Sequence, residues 1–382
     1  VVLAALALGL AQAPTINPKF IEASNRFAFK LYGDIARREP GKNQFISPYS
    51  VSTALSMVYN GAAGSTQQAM AQALELSAFN PTSINSENLR LKTRLEANKE
   101  AQLSIANSLW INQNFKVKPA FTLRNRTYYR ADVVNLDFSS PNAAPRINGW
   151  VKDKTKGKID QIVDDLDSQD VAVLINAIYF KGTWQTTFDA SKTQDKPFYL
   201  DSGAIKATPL MQQSGEYRYY ETPDLQLLHL PYKGNQAMYV FLPKSSLGGF
   251  LPSLTAENWA RWKAGLKSRE GRIELPRFRM EYKRTLNDSL TALGMGIAFD
   301  GGKANFSGIA EKPTHISQVA HKTFVEVNEE GTEAAAVTGV TVRVTSVPDD
   351  PPFEFVADHP FFFLIRDEAT GTILFMGSVW EP

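Results

Sequence analysis

The chain contains no cysteine and only four histidines, His229, His315, His321 and His359, in 382 residues. Without thiols there is no disulfide framework, thiolate nucleophile, zinc ribbon or iron–sulfur cluster. With so few imidazoles, most metal and acid–base chemistry lacks its parts. Charge of one sign is also missing. The 41 Lys and Arg against 39 Asp and Glu leave a formal charge of +2, too small for a general nucleic-acid or membrane-surface field. No apolar run reaches the roughly 20 residues of a membrane-spanning helix, and there is no internal repeat, heptad run or long low-complexity linker. What is present is ordinary for a globular protein, 43% hydrophobic and 21% charged, which excludes wholesale disorder, collagen and coiled coil. Length alone predicts two or three domains at roughly 150 residues each. Composition argues instead for one large domain, because the one strong break, PDDPP at 348–352, leaves only 30 residues behind it.

Catalytic constellations are scarce as well. No Gly-x-Ser-x-Gly elbow occurs, and His315 and His321 are six apart rather than the i, i+4 pair of a zinc-protease helix. Gly301-Gly302-Lys303 is followed by Ala304, where a phosphate loop needs Ser or Thr to meet magnesium. The lysines at 152, 154, 156 and 158, and Arg90, Lys92 and Arg94, read as solvated surfaces with a weak attraction for polyanions. No cofactor or metal is expected, and no enzyme activity.

The opening VVLAALALGLAQAP is an uncharged apolar run ending in small residues, and it reads as a secretory signal remnant over 1–13. A cut after Ala13 would set Pro14 beside the scissile bond, a poor substrate position; a cut after Ala11 avoids it. A packed N-terminal helix is the alternative. Export predicts a secreted, periplasmic or extracellular location, and Asn125, Asn287 and Asn305 head sequons that matter only in a glycosylating source.

Asn17-Pro18 reads as a helix cap followed by proline in the first turn, with Phe20, Phe27, Leu31 and Ile35 at helical spacing. Ser47-Pro48 opens a second helix the same way, with Val51, Leu55 and Val58 on its buried side and Gly61 past its end. VAVLINAIYF at 171–180 predicts a central strand buried on both faces. Residues 225–232 and 237–243 predict one hairpin; 361–365 and 372–380, joined through Gly371, predict another. Helices early and strands later, without βαβ alternation, give an α+β class.

One segment carries more information. Residues 326–352 read EVNEEGTEAAAVTGVTVRVTSVPDDPP. From Thr332 the even positions (Thr332, Ala334, Ala336, Thr338, Val340, Val342, Val344) hold no charge, whereas Glu333 and Arg343 share the odd face with Ala335, Val337, Gly339, Thr341 and Thr345. This is strand patterning with one buried face. Yet the run is bounded by Glu329-Glu330-Gly331 and PDDPP, which suit exposed loops. A segment fit for both states is what a loop-to-strand switch requires.

HKTFVEVNEEGTEAAAVT (321–338) resembles the breach strand and hinge of the serpins. FISPYSVSTALSMVYNGA (45–62), LINAIYFKGTW (174–184), AFDGGKANFSGI (298–309) and ADHPFFFLIRDEATGTILFMG (357–377) are similar to further serpin motifs in the same order. The resemblance implies a single α+β domain over 14–382 with three β-sheets, about nine α-helices and an exposed reactive-centre loop at about 329–352. It implies a suicide-type inhibitor of serine endopeptidases: the target forms a covalent acyl complex at the bait bond, and the cut loop inserts as a strand into the main sheet. Family spacing counts seventeen residues from Glu329 and sets that bond at Thr345–Ser346, a span of roughly 56 Å as a strand. Thr345 between Val344 and Ser346-Val347 suits elastase-like or subtilisin-like proteases, and Arg343 is a competing bait for trypsin-like ones. Cysteine proteases, which also form acyl-enzymes, fall within reach of the same trap.

Further residues match by the same resemblance. Gly331, Thr332, Glu333, Ala334, Ala335, Ala336, Val337 and Thr338 match the hinge, with Val337 a mild departure on the outward face. Ser47, Ser50, Asn176 and His321 match the shutter, a buried polar cluster beneath the place where the sheet opens. Glu329, Arg277 and Trp184 match the breach, where an exposed Glu329–Arg277 pair would contribute about 0–1 kcal/mol. The expected species is a monomer whose partner is the target protease, with no nucleic acid or membrane span. The competing readings are a serpin fold that serves as carrier, chaperone or protease substrate, and a secreted hydrolase, for which no nucleophile–base pair is found.

Overall fold

The computed structural model describes residues 15–332 and 351–382. The signal-like stretch 1–13 and, within the loop, Glu333, Ala334, Ala335, Ala336, Val337, Thr338, Arg343, Thr345 and Ser346 lie outside the described residues.

Helix α1 (Pro18–Arg38) starts where Asn17 accepts from the Lys19 N–H and Pro18 takes the first turn. Short strand β1 (Gln44–Ile46) leads into α2 (Pro48–Tyr59), capped by Ser47. Every residue of α2 is buried, so it runs through the core rather than presenting one face to it. Helices α3 (Gly64–Ala73) and α4 (Pro81–Glu96) precede strand β2 (Ala101–Asn112). Then follow α5 (Pro119–Tyr129), β3 (Asp132–Leu136), α6 (Ala143–Lys154) and β4 (Ala172–Thr183). Next come β5 (Gln194–Tyr199), β6 (Ile205–Glu221), and the expected hairpin β7 (Leu225–Pro231) with β8 (Gln236–Pro243). Helices α7 (Leu247–Phe250) and α8 (Ala256–Gly265) lead to β9 (Lys267–Pro276), β10 (Phe278–Thr285) and α9 (Asn287–Leu290). The chain ends in β11 (Gln318–Asn328), β12 (Gly331–Thr332), β13 (Phe353–Val356), β14 (Phe361–Asp367) and β15 (Ile373–Val379). Among the described residues there are thus nine α-helical segments in an α+β arrangement.

Six strands form one sheet in the order β10-β11-β12-β4-β2-β3, and nine form another. Two of the three expected sheets are joined, because the 17-residue β6 pairs with β5 and β9 and, at its end, with β7. Strand β4 sits between two cores. Leu174, Ile178 and Phe180 face the main cluster of the molecule, while Val173, Ile175, Ala177 and Tyr179 face a second one beneath α6 with Trp110, Ile147 and Val151. That is why its sequence reads as a near-continuous apolar run.

The Gly301–Lys303 stretch is a turn, with the Asp300 carboxylate accepting from the Gly302 N–H and pairing with Lys303. Of the three sequon asparagines, Asn125 is fully buried and Asn287 is spent on Ser317 and Val319, whereas Asn305 is exposed. Among the described residues no helix is long and apolar enough to cross a membrane, and no three His, Asp or Glu residues group to hold a metal ion.

Candidate functional site

The site is a seam in the six-stranded sheet. Strands β11 and β4 pair directly and in parallel over seven positions, from Gln318↔Val173 to Phe324↔Tyr179. Above Tyr179 they part to admit β12. Thr332 pairs with Val327 on one side and Gly182 on the other, and Gly331 with Asn328 and Thr183. Strand β12 is antiparallel to both neighbours. Gly331 and Thr332, the first two residues expected at the hinge, therefore already occupy the sheet, and the seam is shut below them.

Below the wedge, the four residues expected at the shutter come together on the main-core side. Asn176 on β4 lies opposite His321 on β11 and Asn107 on β2, so three polar side chains form a row across three strands. Above the row sits the first turn of α2. The Ser47 hydroxyl accepts from the Ser50 N–H at 3.3 Å as the helix cap and donates to the Leu374 carbonyl at 2.7 Å. The Ser47 N–H donates to His321 Nε2 at 3.2 Å. That leaves Nδ1 to carry the ring proton and donate to the Asn176 Oδ1. The Asn176 amide then donates to the Ser50 hydroxyl and to Asn107 Oδ1. His321 is fully buried, and burial pushes its pKa down to about 3, so the ring is neutral. Each polar group has a partner, and none is charged, as a buried network demands. Asn107 was not anticipated from the sequence; an amide inside the run LSIANSLWI was its only sign.

At the top of the seam the three residues expected at the breach gather around the turn at 328–330. Arg277 Nε donates to both Glu329 carboxylate oxygens at 2.8 Å, and the Thr193 hydroxyl donates to the same carboxylate. The expected exposed pair is in fact lopsided: the Glu329 side chain is 8% exposed against 44% for Arg277. Burial raises the carboxyl most, but Arg277 and Thr193 together outweigh it and hold it below the usual range. The Glu329 carbonyl accepts from the Phe188 N–H at 2.8 Å, and the Trp184 indole donates to the Asn328 carbonyl at 2.9 Å. Trp184 stacks on Tyr232, ring centroids 4.3 Å apart, so the turn leading into the hinge is pinned from three sides. Thr193, Asn328 and Tyr232 carried no signal in the sequence taken singly.

The fold and site define a class of protein, and the comparisons with known proteins agree on it. The family profile described as serpin (serine protease inhibitor) matches residues 22–382. An uncharacterised serpin-like protein of Methanosarcina acetivorans is 37% identical over 94% of this chain and 87% of its own. Human leukocyte elastase inhibitor is 35% identical over 94% of this chain and 98% of its own. Among solved structures, the thermophilic serpin tengpin in its native state matches with a TM-score of 0.89 at 30% identity, covering 97% of this chain and 96% of that one. Human thyroxine-binding globulin, solved in complex with thyroxine, also gives 0.89 at 30% identity, over 95% and 98%. The chain belongs to the serpin family, whose members are mostly protease inhibitors rather than enzymes.

Proposed function

We propose that this chain, over residues 14–382, is a single-use trap for serine endopeptidases. The target's serine attacks the Thr345 carbonyl, the Ser346 amine leaves, and Thr345 is held as an ester. Before water hydrolyses the ester, the freed strand follows Thr332 down the seam and drags the protease with it. One observation supports this reading above the others: β11 and β4 are parallel neighbours that already admit an antiparallel β12 at their upper end. Extending β12 replaces one parallel ladder by two antiparallel ones, and antiparallel pairing is the more stable per residue. The polar row of Asn107, Asn176 and His321 would keep the seam shut until then, and Arg277–Glu329 would hold the hinge at its mouth.

Thr345 points to elastase-like and subtilisin-like targets, in keeping with the leukocyte elastase inhibitors among the relatives; Arg343 adds slower trapping of trypsin-like enzymes, and cysteine proteases fall under the same chemistry. The working species is a monomer, and export rests on the sequence of residues 1–13. The test is to mix the protein with an elastase, a subtilisin and a trypsin and to look for denaturant-stable complexes. A complex releasing a C-terminal fragment that starts at Ser346 is expected. Rapid cleavage of every mixture without complex rejects inhibition in favour of a carrier or substrate, and a fragment from a stable complex starting at Val344 moves the bond to Arg343.

A further inference from the structure

We propose that Tyr232 is a positioning residue whose hydroxyl latches Thr332 into the sheet before any bond is cut. The latch itself stands on geometry; its consequence for inhibition rests on the trapping reading above. Thr332 is fully buried, and its Oγ1 lies 2.7 Å from the Tyr232 hydroxyl. Tyr232 follows β7 and is held on several sides. Its ring stacks on Trp184, meets Phe180 edge-on at 5.2 Å, and its N–H donates to the Gln236 carbonyl at 2.9 Å. Burial raises the phenol above its usual range, so the hydroxyl keeps its proton.

Two glycines make room for this contact. A Cβ on Gly182 would sit 2.8 Å from the Phe180 ring and 3.0 Å from that of Tyr232. A Cβ on Gly331, whose φ is +150°, would sit 2.0 Å from the Gly182 carbonyl oxygen. Strand β12 is therefore seated flush on β4, directly beside the Tyr232 ring. The turn before it is fixed as well, since Asn328 Oδ1 accepts from the N–H groups of Glu330 and Gly331 at 3.1 and 3.2 Å. Register is thus set before cleavage. After acylation the strand has only to propagate, not to find its alignment, which favours insertion in its race with deacylation.

The test compares wild type with Tyr232→Phe, which removes only an oxygen, and Thr332→Val, which breaks the same bond from the other side. Hydrogen exchange over residues 328–332 of the intact, protease-free protein is expected to speed up about five-fold in each variant, as loss of one hydrogen bond implies. With a protease that the wild type traps, the number of inhibitor molecules consumed per complex should rise, and the double variant should be no worse than either single one. Unchanged exchange and stoichiometry in folded variants overturn the latch. So does a lowered melting point with both readouts unmoved, or a double variant whose effect is the sum of the singles. Should the wild type trap no protease, the trapping reading fails while the exchange measurement still decides the latch.

Discussion

Asn176 shows how much one amide can be asked to do. Its side chain accepts from His321 and donates to Ser50 and Asn107, joining two neighbouring strands and a helix at a single point. The family resemblance alone made it visible in the sequence, whereas Ser47 was also marked by the capping pattern of Ser47-Pro48. What the linear chain concealed was which partners the pleat would set opposite it, because Asn107 becomes a neighbour only through the β2–β4 register. His321 gives this cluster a pH dependence. Its pKa falls from an ordinary 6.5 to about 3 on folding, so at intermediate pH the unfolded chain binds a proton that the folded one refuses. The contribution is complete above pH 6.5 and is lost as pH falls toward 3, at about 1.4 kcal/mol per unit. His229, pushed down to about 4 by burial, acts in the same direction, whereas His359, raised by Asp358 and the Pro243 carbonyl against the pull of burial, acts in the opposite one. Thermal midpoints measured from pH 7 to pH 5 should therefore fall less in His321→Gln than in wild type, the difference amounting to roughly 2 kcal/mol. Parallel curves would show that His321 is not the titrating group.

At the scale of elements, the relation between β12, β11 and β4 decides what the loop can become. The strand reading of 332–344 was available from alternation; the one residue of it that is described, Thr332, lies in the sheet beside Gly331 and is fully buried. The residues expected at the breach were legible only as a matching set. Its energetics were misjudged, because burial of Glu329 depends on Thr193 and the chain around Phe188, which are far away in sequence. Continuing the alternation turns Ala334 inward. Ala334→Arg would carry a cation into a buried seam that holds no carboxylate among the β4 and β11 side chains of the direct pairing, at several kcal/mol. Insertion should stall at that residue while cleavage of the bait bond proceeds normally. The expected result is a protein cut by elastase at the wild-type rate that forms less than a tenth of the wild-type complex. Full complex formation would mean that the inserting face is the odd one.

For the whole molecule, the question is where the driving force resides. In the intact protein the 18 residues 333–350 connect a strand end in one sheet to β13 in the other, which is anchored by pairing with β9 and by the stack of Phe353 on Tyr219. Both ends are fixed, so complete entry of the chain between them into the seam requires a cut or the loss of β13. The absence of cysteine acquires a meaning here, since no disulfide ties the two lips of the seam together. Once the bond is cut, Val340, Val342 and Val344 can enter with Ala334, Ala336 and Thr338. Burial of the three valines alone is worth on the order of 5 kcal/mol, and two new ladders of hydrogen bonds add to it. For a chain of this length that corresponds to a rise in melting temperature of at least about 6 °C. Limited cleavage within 340–346, followed by calorimetry of the nicked and intact proteins, measures it directly. A nick placed instead in the exposed turn at Ser202-Gly203 should leave the midpoint unchanged or lower it, because no strand is freed there to enter a sheet. If the loop-nicked protein melts at or below the intact one, the seam does not accept the strand, and β12 is a fixed two-residue insert rather than the beginning of a longer strand.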